Sequence, residues 1–218
     1  MSDLAAQMSN PAAQIGGPAA RRLLDVEPYA LLAPGQGSQK PGMLTDWLSL
    51  PDAEQCLARW SEICDLDLLR LGTTSAATEL VDTATTQPLV AAAALLAVQA
   101  LRAAGGLGPG TIVAGHSVGE LAAAAAAEVI SPDDAIALAA IRGRAMADAC
   151  AADDTGMAAV LGGTPDEVLT RITELDLAPA NHNAPGHLVV AGRTAALTEL
   201  AAARPPNTKV VILPVAGA

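Results

Sequence analysis

The residues best suited to chemistry lie in "GHSVG", residues 115–119. Ser117 sits between Gly115 and Gly119, after the apolar run "TIVA" and before an alanine-rich helical pattern. A sharp strand-to-helix turn forces such a serine into a strained backbone and stands its hydroxyl at the helix N-terminus. The glycines let neighbouring backbones come close, and the Val118 N–H points at a developing oxyanion. A plainer reading is also open: Ser117-x-x-Glu120 is the spacing of a helix capping box. The buried strand expected ahead of it favours a nucleophile. His116 is a poor base for Ser117, because adjacent side chains at a strand end point to opposite faces, and a base must reach its proton.

A second candidate is Arg142, in a helix expected over 132–149. There it shares a face with Leu138, Ala145 and Met146, so it is expected to point inward. No acid lies three or four residues away on either side. An inward guanidinium without a local counter-charge needs a distant buried acid, in a structural ion pair, or a ligand carboxylate held by two N–H groups. Arg144 has Asp148 one turn on and reads as a surface residue.

The elements that must position these groups follow from pattern and punctuation. "YALLAP" (29–34) and "TIVAG" (111–115) read as short buried strands, and "GQGSQKPG" (35–42) as a glycine-rich loop. Residues 52–71 form one helix or two. "TQP" (86–88) opens an alanine-rich helix with Pro88 in its first turn, and a further helix is expected over 118–129. "SPDD" (131–134) is a strong helix start, with a cap, a proline at the first position and two acids in the first turn. From 156 the pattern becomes strand, helix, strand, strand, helix, strand, which is the ferredoxin-like order. The chain is therefore expected to be an α/β domain over 28–152 and a small α+β ferredoxin-like domain over 153–215. A mobile extension is expected over 1–27, and a return to the large domain begins at 216–218.

Composition narrows the function. The 218 residues are 51% hydrophobic and 16% charged, with no Phe and a net charge of −11. Small side chains therefore build the core, with little area buried per residue. The acidic balance argues against nucleic acid and gives no support to an anionic membrane surface. Cys56, Cys64 and Cys150 are odd in number and lack C-x-x-C spacing, so free thiols in a reducing cytoplasm are expected and a metal site is not. The apolar run "LVAAAALLAVQAL" (89–101) is too short to span a bilayer and reads as a buried helix. No basic segment followed by an apolar core opens the chain, so no leader peptide is expected.

Five segments, in order, resemble the malonyl-CoA:acyl carrier protein transacylases of fatty acid synthesis and the related acyltransferase domains of polyketide synthases. They are "PGQGSQKPGM" (34–43), "TQP" (86–88), "GHSVGE" (115–120), "IRGRAM" (141–146) and "NHNAPGHLVVAG" (181–192). The resemblance implies a hydrolase-like α/β larger domain with an inserted ferredoxin-like domain. It implies malonyl transfer from the coenzyme A thioester to the phosphopantetheine thiol of acyl carrier protein, through an acyl-serine and without a cofactor. It makes Ser117 the nucleophile, Gln36 and Val118 the backbone donors of an oxyanion hole, and Arg142 the partner of the malonyl carboxylate. Gln87 and Asn183 would line the site. Gly143 would let a neighbour approach the arginine's helix. Position 187 is His where the family usually has Gln.

The family's base is a histidine that follows the strand returning from the small domain. Here that strand is "KVVILPVAGA" (209–218), so the histidine is expected just after Ala218. The chain is then expected to be a fragment of low stability and activity, with the large sheet's edge left open. His182 and His187, in the small domain, read as bland loop or strand residues. Two alternatives stay open: a serine thioesterase or esterase, in which water replaces the carrier thiol, and a non-catalytic remnant that binds coenzyme A or carrier protein.

Overall fold

The computed structural model describes residues 30–108 and 110–213. The expected extension over 1–27 and the residues at 216–218 lie outside that range. The chain divides into two units, the first ending at Gly143 and the second beginning at Arg144.

In the first unit, strand β1 (Ala30–Ala33) pairs in parallel with β2 (Ile112–Gly115), with Ala33 opposite Gly115. Between them run helices α1 (Ala53–Cys64), α2 (Leu68–Thr73) and α3 (Thr83–Ala103). After β2 come α4 (Gly119–Ala126) and α5 (Pro132–Ala152), the latter running on into the second unit. The core gathers Leu57, Trp60, Leu89, Leu95, Leu96 and Ile136. Fully buried Ala91 and Ala92 let neighbouring elements close on α3, as a core without phenylalanine requires.

Helix α3 starts earlier than expected. Asp82 caps it, its carboxylate accepting from the Ala84 N–H at 3.1 Å, so Pro88 falls inside the helix rather than in its first turn. The helix is thereby long and apolar enough to cross a membrane by length and composition, but two thirds of its apolar window is buried within the protein. It is the central core helix of its unit.

The two strands were expected to be buried, and among the described residues one face of them is covered. Leu31, Ala33 and Val113 lie on the covered side, whereas Leu32 and Ile112 are 72% and 64% exposed. Leu32 and Ile112 fall on alternate positions to the covered residues, so they share the opposite face. The helix expected over 118–129 ends at Ala126, where the chain turns and Glu128 takes a left-handed φ of 62°. Helix α5 starts as read: the Ser131 hydroxyl accepts from the Asp134 N–H at 3.0 Å, and the Asp134 carboxylate accepts the Ser131 hydroxyl at 2.6 Å.

The second unit is a four-stranded antiparallel sheet with two helices. Its elements are β3 (Thr155–Gly162), α6 (Pro165–Glu174), β4 (Ala178–Ala184), β5 (His187–Arg193), α7 (Thr194–Ala202) and β6 (Thr208–Ile212). The strand order is β4-β5-β3-β6. Ala158 and Val160 of β3 and Leu188 and Val190 of β5 pack with Val168, Ile172, Leu197 and Leu200 from the helices. Alternation along the central strands puts these side chains on one face.

Candidate active site

The turn after β2 holds Ser117 in a left-handed conformation, with φ at 55°. Such a conformation is uncommon for a residue with a Cβ, and persists only where the surroundings impose it. They do so through close backbone contacts. The His116 N–H donates to the Ala33 carbonyl at 3.0 Å, which ties the turn to the end of β1. A Cβ on Gly115 would come within 2.2 Å of the Gly119 carbonyl carbon, and one on Gly119 within 2.4 Å of the Ala33 oxygen. The two glycines of G-x-S-x-G are therefore required by the space on either side of the serine.

The capping-box reading of Ser117 is not realised. The Val118–Gly119 start of α4 has no side-chain cap. The Ser117 hydroxyl instead accepts from Arg142 Nη2 at 2.9 Å. The other arm of that guanidinium, Nη1, donates to Gln87 Oε1 at 2.7 Å. Gln87 is fully buried, and its Nε2 lies 3.5 Å from Gln36 Oε1. Gln36 Nε2 donates in turn to the Thr83 hydroxyl at 3.3 Å. One polar chain thus runs Thr83, Gln36, Gln87, Arg142, Ser117, drawn from a loop, two helices and a strand-to-helix turn.

Arg142 reaches this chain from a different setting than the sequence suggested. The buried stripe of α5 is Ala135, Ile136, Ala139, Ala140 and Gly143, while Leu138 is 43% exposed and Ala145 is exposed. Arg142 is half-buried at the edge of that stripe, and its long stem carries the guanidinium to the serine. Close packing at Gly143 makes this possible: a Cβ there would lie 2.9 Å from the Thr83 carbonyl at the start of α3. Among the described residues, no carboxylate lies within ion-pair distance of Arg142. Its hydrogen-bond partners among these residues, an amide and a hydroxyl, are neutral.

The backbone donors are equally distinctive. Val118 is completely buried. Among the described residues, no acceptor takes the backbone N–H of Val118 or of Gln36. Buried N–H groups are nearly always paired, so a free one beside a strained serine is suited to an incoming oxygen.

Ser117, Val118, Gln36, Gln87 and Arg142 thus belong to one site. Asn183 lies in the second unit on β4, its amide 3.5 Å from His187 Nε2. His116 is exposed, and its ring lies against the Cβ direction of Gly35. No histidine among the described residues hydrogen-bonds Ser117, and the histidine expected after Ala218 lies outside them. Thr83 was missed in the sequence, because its contact with Gln36 joins residues 47 apart. No group of three or more His, Cys, Asp or Glu among the described residues could hold a metal ion.

A family model described as an acyl transferase domain matches residues 31–212. The malonyl CoA-acyl carrier protein transacylase of Mycobacterium tuberculosis is 58% identical over 190 residues, which are 87% of this chain and 63% of that protein. The crystal structure of MCAT from Mycobacterium tuberculosis matches with a TM-score of 0.84 at 58% identity, over 87% of this chain and 63% of that one. A malonyl-transacylase solved in complex with a type II PKS acyl-carrier protein matches with a TM-score of 0.74 at 31% identity, over 86% of this chain and 63% of that one. This chain therefore spans less than two thirds of the length of these relatives.

Proposed function

The chain belongs to the acyl transferase domain family, and we propose that it carries the nucleophile and substrate-recognition groups of a malonyl transacylase. The observation that carries this reading is Arg142. A guanidinium that is half-buried and, among the described residues, bonded to neutral groups, one of them the Ser117 hydroxyl, suits an acyl chain that ends in a carboxylate. A neutral acyl group would leave that charge without a counter-ion.

In the proposed reaction the Ser117 oxygen attacks the thioester carbonyl of malonyl-CoA. Its proton goes to a base, which the family resemblance puts at a histidine beyond Ala218. The N–H groups of Val118 and Gln36 receive the charge that develops on the carbonyl oxygen. The carbon–sulfur bond breaks, coenzyme A leaves, and the malonyl group remains as an ester on Ser117. The phosphopantetheine thiol of acyl carrier protein then attacks the ester, restoring the serine hydroxyl and forming the new thioester. Arg142 releases the serine hydroxyl and holds the malonyl carboxylate through both steps, with buried Gln87 fixing the plane of the guanidinium. Asn183 is assigned to the lining of the site on the resemblance alone. No cofactor enters these steps.

The finer fold reading is a hydrolase-like α/β domain carrying a ferredoxin-like small domain. The β-α-β-β-α-β order and the antiparallel strand order β4-β5-β3-β6 support the second part. A cytoplasmic location suits three free cysteines.

The test is transfer. Incubating the native protein with malonyl-CoA and phosphopantetheinylated acyl carrier protein should yield malonyl-carrier protein in preference to free malonate. Release of malonate alone would favour a thioesterase. Carrier binding with no acyl-serine would favour a binding remnant.

A further inference from the structure

The stretch "GQGSQ" (35–39) contains two polar side chains, Ser38 and Gln39, that the reaction above does not use. We propose that Ser38 and Gln39 are positioning residues that aim the Gln36 N–H. The inference rests on the reading of that N–H as an oxyanion donor.

The geometry is a clamp on two successive peptide planes. The Ser38 hydroxyl donates to the Gly35 carbonyl at 2.9 Å. That carbonyl and the Gln36 N–H belong to one trans peptide, so they point in opposite directions. Drawing the carbonyl toward Ser38 turns the Gln36 N–H away from Ser38, where no protein acceptor among the described residues takes it. Gln39 fixes the next plane. Its Oε1 accepts from the Gly37 N–H at 2.7 Å, where Gly37 has a φ of 106°. Its Nε2 donates to the Leu80 carbonyl at 3.1 Å. The same carbonyl accepts from the hydroxyl of fully buried Thr86 at 2.7 Å. The loop is therefore tied through Leu80 to α3, the helix that also bears Gln87.

The two side chains lie toward the surface, although their bonds to Gly35 and Leu80 are partly buried. Ser38 is exposed and Gln39 only half-buried, and surface substitutions away from core contacts move stability little. Their effect should therefore fall on the transition state, where the oxyanion exists, and not on substrate binding.

The experiment measures three quantities on the native protein and its S38A, Q39M and S38T variants. They are the single-turnover rate of Ser117 acylation by malonyl-CoA, the Kd for malonyl-CoA, and the melting temperature. S38A and Q39M should each slow acylation about ten-fold, a part of the 10²–10³-fold that a whole oxyanion donor supplies. Kd and melting temperature should stay close to the parent's, and S38T, which keeps the hydroxyl, should restore the rate. Unchanged acylation in S38A and Q39M overturns the proposal alone. So does a rate loss matched by weaker binding and lower melting, because that marks a merely structural role. A parent protein that forms no acyl-serine overturns the oxyanion reading and the proposal with it.

Discussion

In the four-stranded sheet, β3 and β5 put Ala158, Val160, Leu188 and Val190 under two helices and leave a closed core. In the two-stranded sheet, β1 and β2 cover one face and leave Leu32 and Ile112 open on the other. Parallel strands are normally buried on both faces, and antiparallel strands need cover on one only. The candidate site nevertheless lies at the end of the two-stranded sheet. Ser117 owes its strained conformation to close backbone contacts with Ala33, Gly115 and Gly119, and its polar partners to α3 and α5. Among the described residues, the Ser117 turn is held by backbone packing against β1 and by side chains of α3 and α5, whatever else covers the sheet.

Three substitutions sharpen the comparison or break it. The largest effect is expected for Arg142→Ala. Removing the partner of a desolvated carboxylate costs about 2–5 kcal/mol, or roughly 30-fold and upward in rate. Acetyl-CoA, without the carboxylate, should lose far less; single-turnover acylation with the two thioesters checks this. An equal loss with both would show that Arg142 serves the serine and not the acyl group. Next comes Leu200→Ala. Leu200 is completely buried in the closed core, so the second unit should lose about 2–5 kcal/mol, read by denaturant unfolding. The smallest effect is expected for Ile112→Ser in the 218-residue chain, where that face is open among the described residues: within about 0.5 kcal/mol, with less self-association in light scattering. A large loss of stability there would mean that the face is covered in solution, and the contrast between the two sheets would fail.

Much of this was legible in sequence where the signal is local. The strand-helix order of the second unit could be read from its apolar runs, and Pro165 does stand at the start of α6. The cap at Ser131 was equally plain. The start of α3 was misread because Pro88 looked like a first-turn proline, while Asp82, the actual cap, stood six residues earlier. In the site, the glycines about Ser117 announced the turn, since only glycine fits where backbone meets backbone. The residues on either side of the Arg142–Gln87 bond lie 55 positions apart, and no local pattern encodes such a meeting. The missing counter-charge of Arg142 could be read only as a need, and among the described residues the guanidinium rests on neutral groups that leave that need open.

The most direct test of the central claim is the acylation of Ser117 itself. The native protein is incubated with malonyl-CoA, quenched in acid, digested and mapped by mass spectrometry, beside its Ser117→Ala variant. The account predicts a mass gain of one malonyl group on the peptide that contains "GHSVGE", and none in the variant. A malonyl adduct on another residue, or no covalent adduct in the parent protein, would contradict it.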